Sequence, residues 1–350
     1  MFSMKLKATV PLLILALCLV PRVYGQDQAP EGPGFQDPDV SKSAQTGFKF
    51  LSLSVDPRAT AMAGALTSQE MAGSLAMFYN PAAMANTQRS IDVAFMRTQF
   101  IADINYNAGS VAFRPRNGLY GTFGVSVVAV DYGEFEGTVR SGDGYEDTGI
   151  FSPTALAVGI GYAKALSDRF SIGGNVKYAY QDLGAFAVDR VDGELVTDDY
   201  SMGTPVFDFG VLYKTGFRDL NIAMSVRNFA QELQYEQESF ELPLTFRVGA
   251  SMDLFSLTNM SSDMHSLRLA VDAERPRDFA EQLRIGGEYL FMNTLALRAG
   301  YAFPTDTEGM NLGIGLQRNL SGFGFAFNYA YTSYDVFDNV HRIGIQLSLE

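Results

Sequence analysis

From Phe170 to Tyr180 the chain reads Phe, Ser, Ile, Gly, Gly, Asn, Val, Lys, Tyr, Ala, Tyr, with aromatic and β-branched side chains at even positions and small or polar ones mostly at odd positions. Successive residues of a strand point to opposite faces, so this segment has one oily face and one wet face. About fourteen segments of strand character follow: 90–100, 103–114, 118–130, 153–166, 169–181, 204–214, 219–229, 242–253, 264–273, 282–291, 294–303, 309–318, 322–332 and 340–349. Most have the roughly ten residues that a tilted strand needs to cross a bilayer. With the small and charged face turned inward, the pattern predicts an all-β fold, a transmembrane antiparallel barrel of about fourteen strands over residues 90–350. A soluble sandwich would hide its oily face instead.

Two further features agree with this reading. Alternate links between strands are short, at 115–117, 167–168, 215–218, 292–293 and 319–321, whereas most of those between are longer, at 131–152, 182–203, 230–241, 274–281, 304–308 and 333–339. Outer-membrane barrels have this rhythm, with short periplasmic turns and long outer loops. The link 254–263 breaks it. Charges inside strands also segregate: Lys177, Asp208, Arg227, Arg247, Arg268, Asp272, Arg284, Glu288 and Arg298 all fall on the lumen side of the alternation. A charge facing lipid at mid-membrane costs roughly 2 to 4 kcal/mol, which is why the segregation matters. Arg97 lies on the lipid side, near a strand end from which it can reach the interface.

The chain before residue 90 is different. Residues 48–89 have an Ala, Met and Gly composition of helical character and predict a compact, partly helical hatch in the lumen. Thr67, Ser68, Gln69 and Glu70 can form a capping box, Ser74 can cap a short helix over 75–79, and Pro81 suits the first turn of another, with Asn80 at a sharp break before it. Arg58, Gly64, Asn80 and Pro81 are the hatch residues singled out. Residues 26–47, rich in Pro, Gly, Gln and Asp, predict a flexible periplasmic tail. Residues 1–25 carry Lys5 and Lys7, an apolar run from Ala8 to Val20, and small residues ending at Gly25, which predicts a secretory signal cleaved near Gly25. Cys18 follows Leu17, where a lipobox has a small residue, so lipidation is not the favoured reading.

Composition narrows the function classes. The formal charge is −13, and removing residues 1–25 takes away three cations and no acids, giving 23 − 39 = −16. Nucleic acid is an unsuitable partner for such a surface. Cleavage at Gly25 also removes the single cysteine, and with it any disulfide or thiol chemistry. The 34 glycines suit a crowded inner wall, and with no Trp an aromatic girdle has to be built from Tyr and Phe. Gly159-Ile160-Gly161 and Gly313-Ile314-Gly315 occupy alternating strands and read as structural glycines, not a phosphate loop. The two histidines, His265 and His341, stand in no nucleophile, metal or acid–base motif, so no catalysis, metal or cofactor is expected. The acidic links 131–152 and 182–203 lack calcium-ligand spacing. Arg247, Arg268, Asp272, Arg284, Glu288 and Arg298 form a lumen charge network that can either line a selective path or hold the hatch.

The ordered motifs resemble those of a known family. Phe50-Leu51, then Pro57-Arg58-Ala59-Thr60-Ala61-Met62-Ala63-Gly64-Ala65, then Tyr79-Asn80-Pro81-Ala82-Ala83-Met84-Ala85, are similar to the N-terminal signature of the PorV/PorQ family, and Gly286-Gly287-Glu288-Tyr289-Leu290 with Leu297-Arg298-Ala299-Gly300-Tyr301 to its paired strand motif. The family usually has Met-Gly-Gly-Ala where this chain has Met62-Ala63-Gly64-Ala65. The resemblance implies a FadL-like barrel with an N-terminal hatch in the outer membrane of a Gram-negative bacterium. It implies a non-enzymatic role in type IX secretion, with membrane lipid, secreted proteins bearing C-terminal sorting domains and attachment-complex subunits as partners. The links 131–152 and 182–203 are the expected cargo contacts. The alternative is FadL-like transport of a hydrophobic small molecule.

Overall fold

The computed structural model describes residues 46–350 apart from 71–72, 142–143, 192–193, 258–263, 306–307 and 336. The signal peptide expected over 1–25 and the tail expected from 26 up to residue 45 lie outside the described residues. Eighteen strands follow one another: β1 (Ile91–Gln99), β2 (Asn105–Phe113), β3 (Thr122–Asp131), β4 (Phe135–Ser141), β5 (Gly144–Phe151), β6 (Thr154–Ala165), β7 (Phe170–Val191), β8 (Glu194–Lys214), β9 (Asn221–Phe229), β10 (Leu233–Gln234), β11 (Ser239–Phe240), β12 (Thr245–Asp253), β13 (His265–Pro276), β14 (Gln282–Phe291), β15 (Leu295–Phe303), β16 (Glu308–Leu320), β17 (Phe323–Tyr334) and β18 (Val340–Leu349). Fourteen of them close into a barrel by antiparallel neighbours, and β1 seals it by pairing with both β2 and β18. The remaining four form two small hairpins, β4 with β5 and β10 with β11.

The expected alternation governs the wall. In β6 every second residue is buried and the others are exposed, with Leu156, Val158, Ile160 and Tyr162 pointing outward. Lys177, Asp208, Arg227, Arg247, Asp272, Glu288 and Arg298 are all buried on the inner face, and Arg97 points outward two residues from the end of β1. Both histidines face outward beside tyrosines: His265 Nδ1 lies 2.6 Å from the Tyr289 hydroxyl, and His341 Nδ1 lies 2.7 Å from that of Tyr329. They stand at opposite ends of the wall, where an aromatic belt meets the headgroups.

The long links hold more structure than their polarity suggests. β7 and β8 continue ten residues beyond the alternating segments, as one hairpin with two register shifts. The segment expected as loop 131–152 contains β4 and β5, and 230–241 contains β10 and β11. A strand projecting beyond the bilayer has no lipid to face, so its backbone ladder persists while its hydrophobic alternation disappears. These three hairpins all stand at the end of the barrel that carries the longer links, the outer end.

In the hatch, the turns at Lys49–Leu51, Ser74–Phe78 and Pro81–Asn86 are 3-10 helices, and α1 (Pro57–Ala61) is the one α-helix among its described residues. Asp56 caps α1 by accepting from the Arg58 backbone N–H at 2.9 Å. Asn80 is extended, as expected before Pro81, and its side chain caps Ala82 at 3.1 Å. Two expectations are corrected. Thr67 to Glu70 cap no helix, because the Thr67 backbone N–H donates to Asp272 instead, at 3.0 Å. Ser74 starts its turn but does not cap it, since its hydroxyl is taken by Asp92 at 2.9 Å.

Replacing the outward-facing Ile160, mid-strand in β6 and 67% exposed, with Arg should destabilise the barrel by about 2 to 4 kcal/mol. Equilibrium unfolding of the refolded protein in lipid would measure the loss.

Candidate functional site

The site with the densest chemistry is the contact between the hatch and the inner wall. The hatch enters at the outer end: Thr46 pairs in parallel with Glu241, the Gly47 N–H donates to the Glu241 carbonyl at 3.0 Å, and the Thr46 hydroxyl donates to Asp278 at 2.9 Å. Lys49 forms an ion pair with the same Asp278. Thr46 and Gly47, the last residues of the expected periplasmic tail, thus lie among the outer links. The reason is that residues 46–49 find their backbone and charge partners in 230–244 and 277–281.

Three buried clusters then fix the hatch. In the first, Arg58 leaves α1 and bonds both oxygens of Glu288, at 2.9 and 3.0 Å, while Arg298 donates to Glu288 at 2.6 Å from the neighbouring strand. Register explains the meeting, because Glu288 on β14 is directly opposite Arg298 on β15. In the second, Glu274 receives Arg247 at 2.9 Å on one oxygen and Arg284 on the other. The same two arginines donate to the hatch, Arg247 to the Gly64 carbonyl at 3.2 Å and Arg284 to the Ala63 carbonyl at 2.9 Å. Those carbonyls are aimed outward by a left-handed turn, with φ of 52° at Ala63 and 79° at Gly64. Gly64 suits that conformation. Ala63 holds it at a cost on the order of 1 kcal/mol, which the burial of its methyl group, worth about 0.8 kcal/mol, nearly cancels. A glycine at 63 is therefore no more than a small change.

The third cluster lies where the hatch presses on β7, β8 and β9. The Asn80 amide donates to the Thr67 carbonyl at 2.8 Å and to the Val211 carbonyl of β8 at 3.2 Å. A Cβ on Gly210 would sit 1.9 Å from Asn80 Oδ1, and one on Gly173 would sit 2.5 Å from the Pro81 backbone, so these glycines make the approach possible. Nearby, Lys177 and Asp208 pair at 2.9 Å, Asn228 donates its backbone N–H to Asp208 at 2.8 Å, and the Asn228 amide reaches the Leu51 carbonyl at 3.3 Å. Burial pushes the Asp56 carboxyl, fully enclosed beneath α1, above the ordinary range, against the pull of the Arg58 backbone N–H.

Of the lumen residues expected to act together, Glu288 pairs with Arg298, Arg247 and Arg284 meet separately at Glu274, and Asp272 binds the hatch backbone at Thr67. Arg268 stands apart, 3.6 Å from Asp219: it too is directly opposite Glu288 in register, but Glu288 is already taken by Arg58 and Arg298. Glu274 was not singled out in the sequence, since the alternating segment ended one residue earlier, although it keeps the parity of Asp272. Asp92, which holds Ser74 and Gln346, was also missed. No group of three or more His, Cys, Asp or Glu side chains among the described residues is placed to hold a metal ion.

Above the hatch, at the outer end, a cavity of about 410 Å³ is lined by Lys49, Arg247, Glu274, Arg284, Tyr334 and Arg342 among others. Beside it runs a chain of aromatic rings. Phe135, Phe151, Phe186, Tyr200, Tyr235, Phe240, Phe48 and Phe50 follow one another at centroid separations of 5.0 to 6.4 Å. The chain crosses from the β4–β5 hairpin through the β7–β8 extension and β11 to the start of the hatch.

A fourteen-stranded wall with an oily exterior, closed inside by an N-terminal segment, defines an outer-membrane β-barrel of the FadL-like class. The fold resembles that of the Pseudomonas putida toluene transporter TodX, with a TM-score of 0.54 at 12% identity over 83% of this chain and 96% of that one. A Pseudomonas aeruginosa FadL homologue gives 0.53 at 12% identity, over 85% and 98%. At that identity the likeness is one of fold. The chain belongs to the PorV family, whose model, described as type IX secretion system protein PorV, matches residues 36–266. No curated protein matches it.

Two substitutions test the site. Glu288→Gln leaves Arg58 and Arg298 without their counter-charge and should cost about 3 to 5 kcal/mol, read from the unfolding midpoint. Gly210→Ala, which puts a methyl group on top of the Asn80 amide, should increase trypsin cleavage at Arg58 while the barrel remains resistant.

Proposed function

We propose that this protein is a non-enzymatic component of type IX secretion that works at its outer end, receiving the C-terminal sorting domain of a cargo protein or a subunit of the attachment complex. Membership of the PorV family carries the reading, and the architecture supports it. The hatch touches every strand of the barrel, through backbone packing on β1 to β3, β6 to β8 and β15 to β18, and through Asn228, Arg247, Asp272 and Glu288 on β9, β12, β13 and β14. Chemistry at the lumen is held still by these bonds, whereas the outer hairpins project free of the wall. They offer exposed Phe135, Tyr145 and Ile150 among carboxylates such as Glu134, Glu136 and Asp147, a surface fitted to a protein rather than to a small solute.

The rival reading, passage of a hydrophobic small molecule, needs a lateral gap in the wall or an apolar path past the hatch, and the latter needs the hatch to leave its clusters. Buried charges deprived of their partners cost several kcal/mol each, so spontaneous opening is rare. Deleting the gene and comparing secreted, surface and periplasmic proteins by mass spectrometry separates the two. Accumulation of proteins with C-terminal sorting domains in the periplasm is expected, and an unchanged distribution would defeat the secretion reading. Complementation with a variant whose residues 135–151 are replaced by a short Gly-Ser linker should fail to restore export although the barrel is assembled.

A further inference from the structure

Arg227 is an anomaly in this lumen. It is 9% exposed, on the inner face of β9, yet its Nε has no hydrogen-bond partner, and no carboxylate among the described residues comes within ion-pair distance. What the guanidinium does have is the face of Tyr79, 5.9 Å away. Every other buried lumen arginine reaches a carboxylate, an amide oxygen or a hydroxyl, which is the rule for buried charges. The nearest carboxylate, Asp208, is already occupied by Lys177, by the Asn175 amide at 3.1 Å and by the Asn228 backbone.

Arg227 and Lys177 are the charged residues lining a small cavity of about 30 Å³, with Asn175 and Ser126 on the wall side and Phe78, Tyr79 and other apolar groups on the hatch side. That volume holds one small ion or a water molecule and excludes anything with a chain. Lys177 has Asp208 as its counter-charge and Arg247 has Glu274, whereas Arg227 has no carboxylate of its own. Water could satisfy the hydrogen bonds left open at Arg227 and at Asn175 Oδ1, but it cannot give the Arg227 guanidinium a counter-charge.

We propose that this cavity is a binding site for a small monovalent anion, a halide such as chloride, held between the Arg227 guanidinium and the Lys177 ammonium. The ion gives Arg227 the counter-charge that Glu288 gives Arg298 and Glu274 gives Arg247. Since the hatch supplies one wall of the cavity and the barrel the other, the anion also joins them. A carboxylate group on a larger molecule is excluded by the volume.

The test uses the full-length barrel purified in detergent. Crystals grown with bromide in place of chloride should show an anomalous peak in contact with Arg227 and Lys177. The thermal unfolding midpoint should rise by a few degrees when gluconate, too large for the cavity, is exchanged for chloride or bromide at constant ionic strength. Arg227→Met should abolish that dependence. A cavity containing water without a bromide peak would overturn the proposal. So would a bromide peak in protein whose melting is the same in gluconate and in chloride, since the ion would then be bound only at crystal concentration. The wild-type measurements stand whether or not the variant folds.

Discussion

The constraint on which this structure depends is that the inner wall of a narrow barrel must be polar and must also be filled. A polar lumen left open would hold water, but here the carboxylates of the wall are turned to the cations and backbone donors of the hatch. Glu288 takes Arg58 from the hatch together with Arg298 from the wall, and Asp272 takes the Thr67 backbone. Glu274 works at one remove, orienting Arg247 and Arg284 toward the carbonyls of Ala63 and Gly64. The hatch has little regular structure of its own, one five-residue α-helix and several 3-10 turns, so its conformation is set by these bonds more than by its own helical preferences.

Glycine makes the same constraint workable on the steric side. The hatch backbone approaches the wall so closely at Met62 that a Cβ on Gly300 would lie 2.3 Å from its carbonyl carbon. Residues with no side chain on the inner face therefore sit where the hatch is nearest, and charged residues stand at the edges of those contacts. Packing and electrostatics are thus interleaved along the same strands, which explains why Gly286 and Glu288, two residues apart on β14 and on the same face, do different work.

Much of the wall was legible in the sequence because a membrane imposes a period of two and penalises every lapse. The lapses that exist are informative: Arg97 is tolerated near a strand end. What was not legible falls into two kinds. Beyond the bilayer the penalty vanishes, so β4, β5 and the ends of β7 and β8 carry no hydrophobic alternation and read as loops, although their backbones are paired. Inside the lumen, the parity of a charge is visible but its partner is not. Arg268 and Arg298 look alike in sequence and both stand opposite Glu288 in register, yet Arg298 closes on Glu288 under the hatch and Arg268 turns to Asp219, a choice that parity does not record.

The asymmetry between the two ends of the barrel bears on what the hatch can do. Its first described residues are tied to the outer links, through Glu241 and Asp278, and the aromatic chain from Phe135 to Phe50 connects them to hairpins that stand clear of the membrane. At the deeper end the hatch is held by buried ion pairs, each costly to break. The bonds at the outer end are of another kind: Lys49 is substantially exposed, but its partner Asp278 is buried and also accepts from the Thr46 hydroxyl. The outer anchor of the hatch and the seal formed by Glu288 and Glu274 therefore rest on different residues, the outer one chiefly on the burial of Phe48, Phe50 and Leu51.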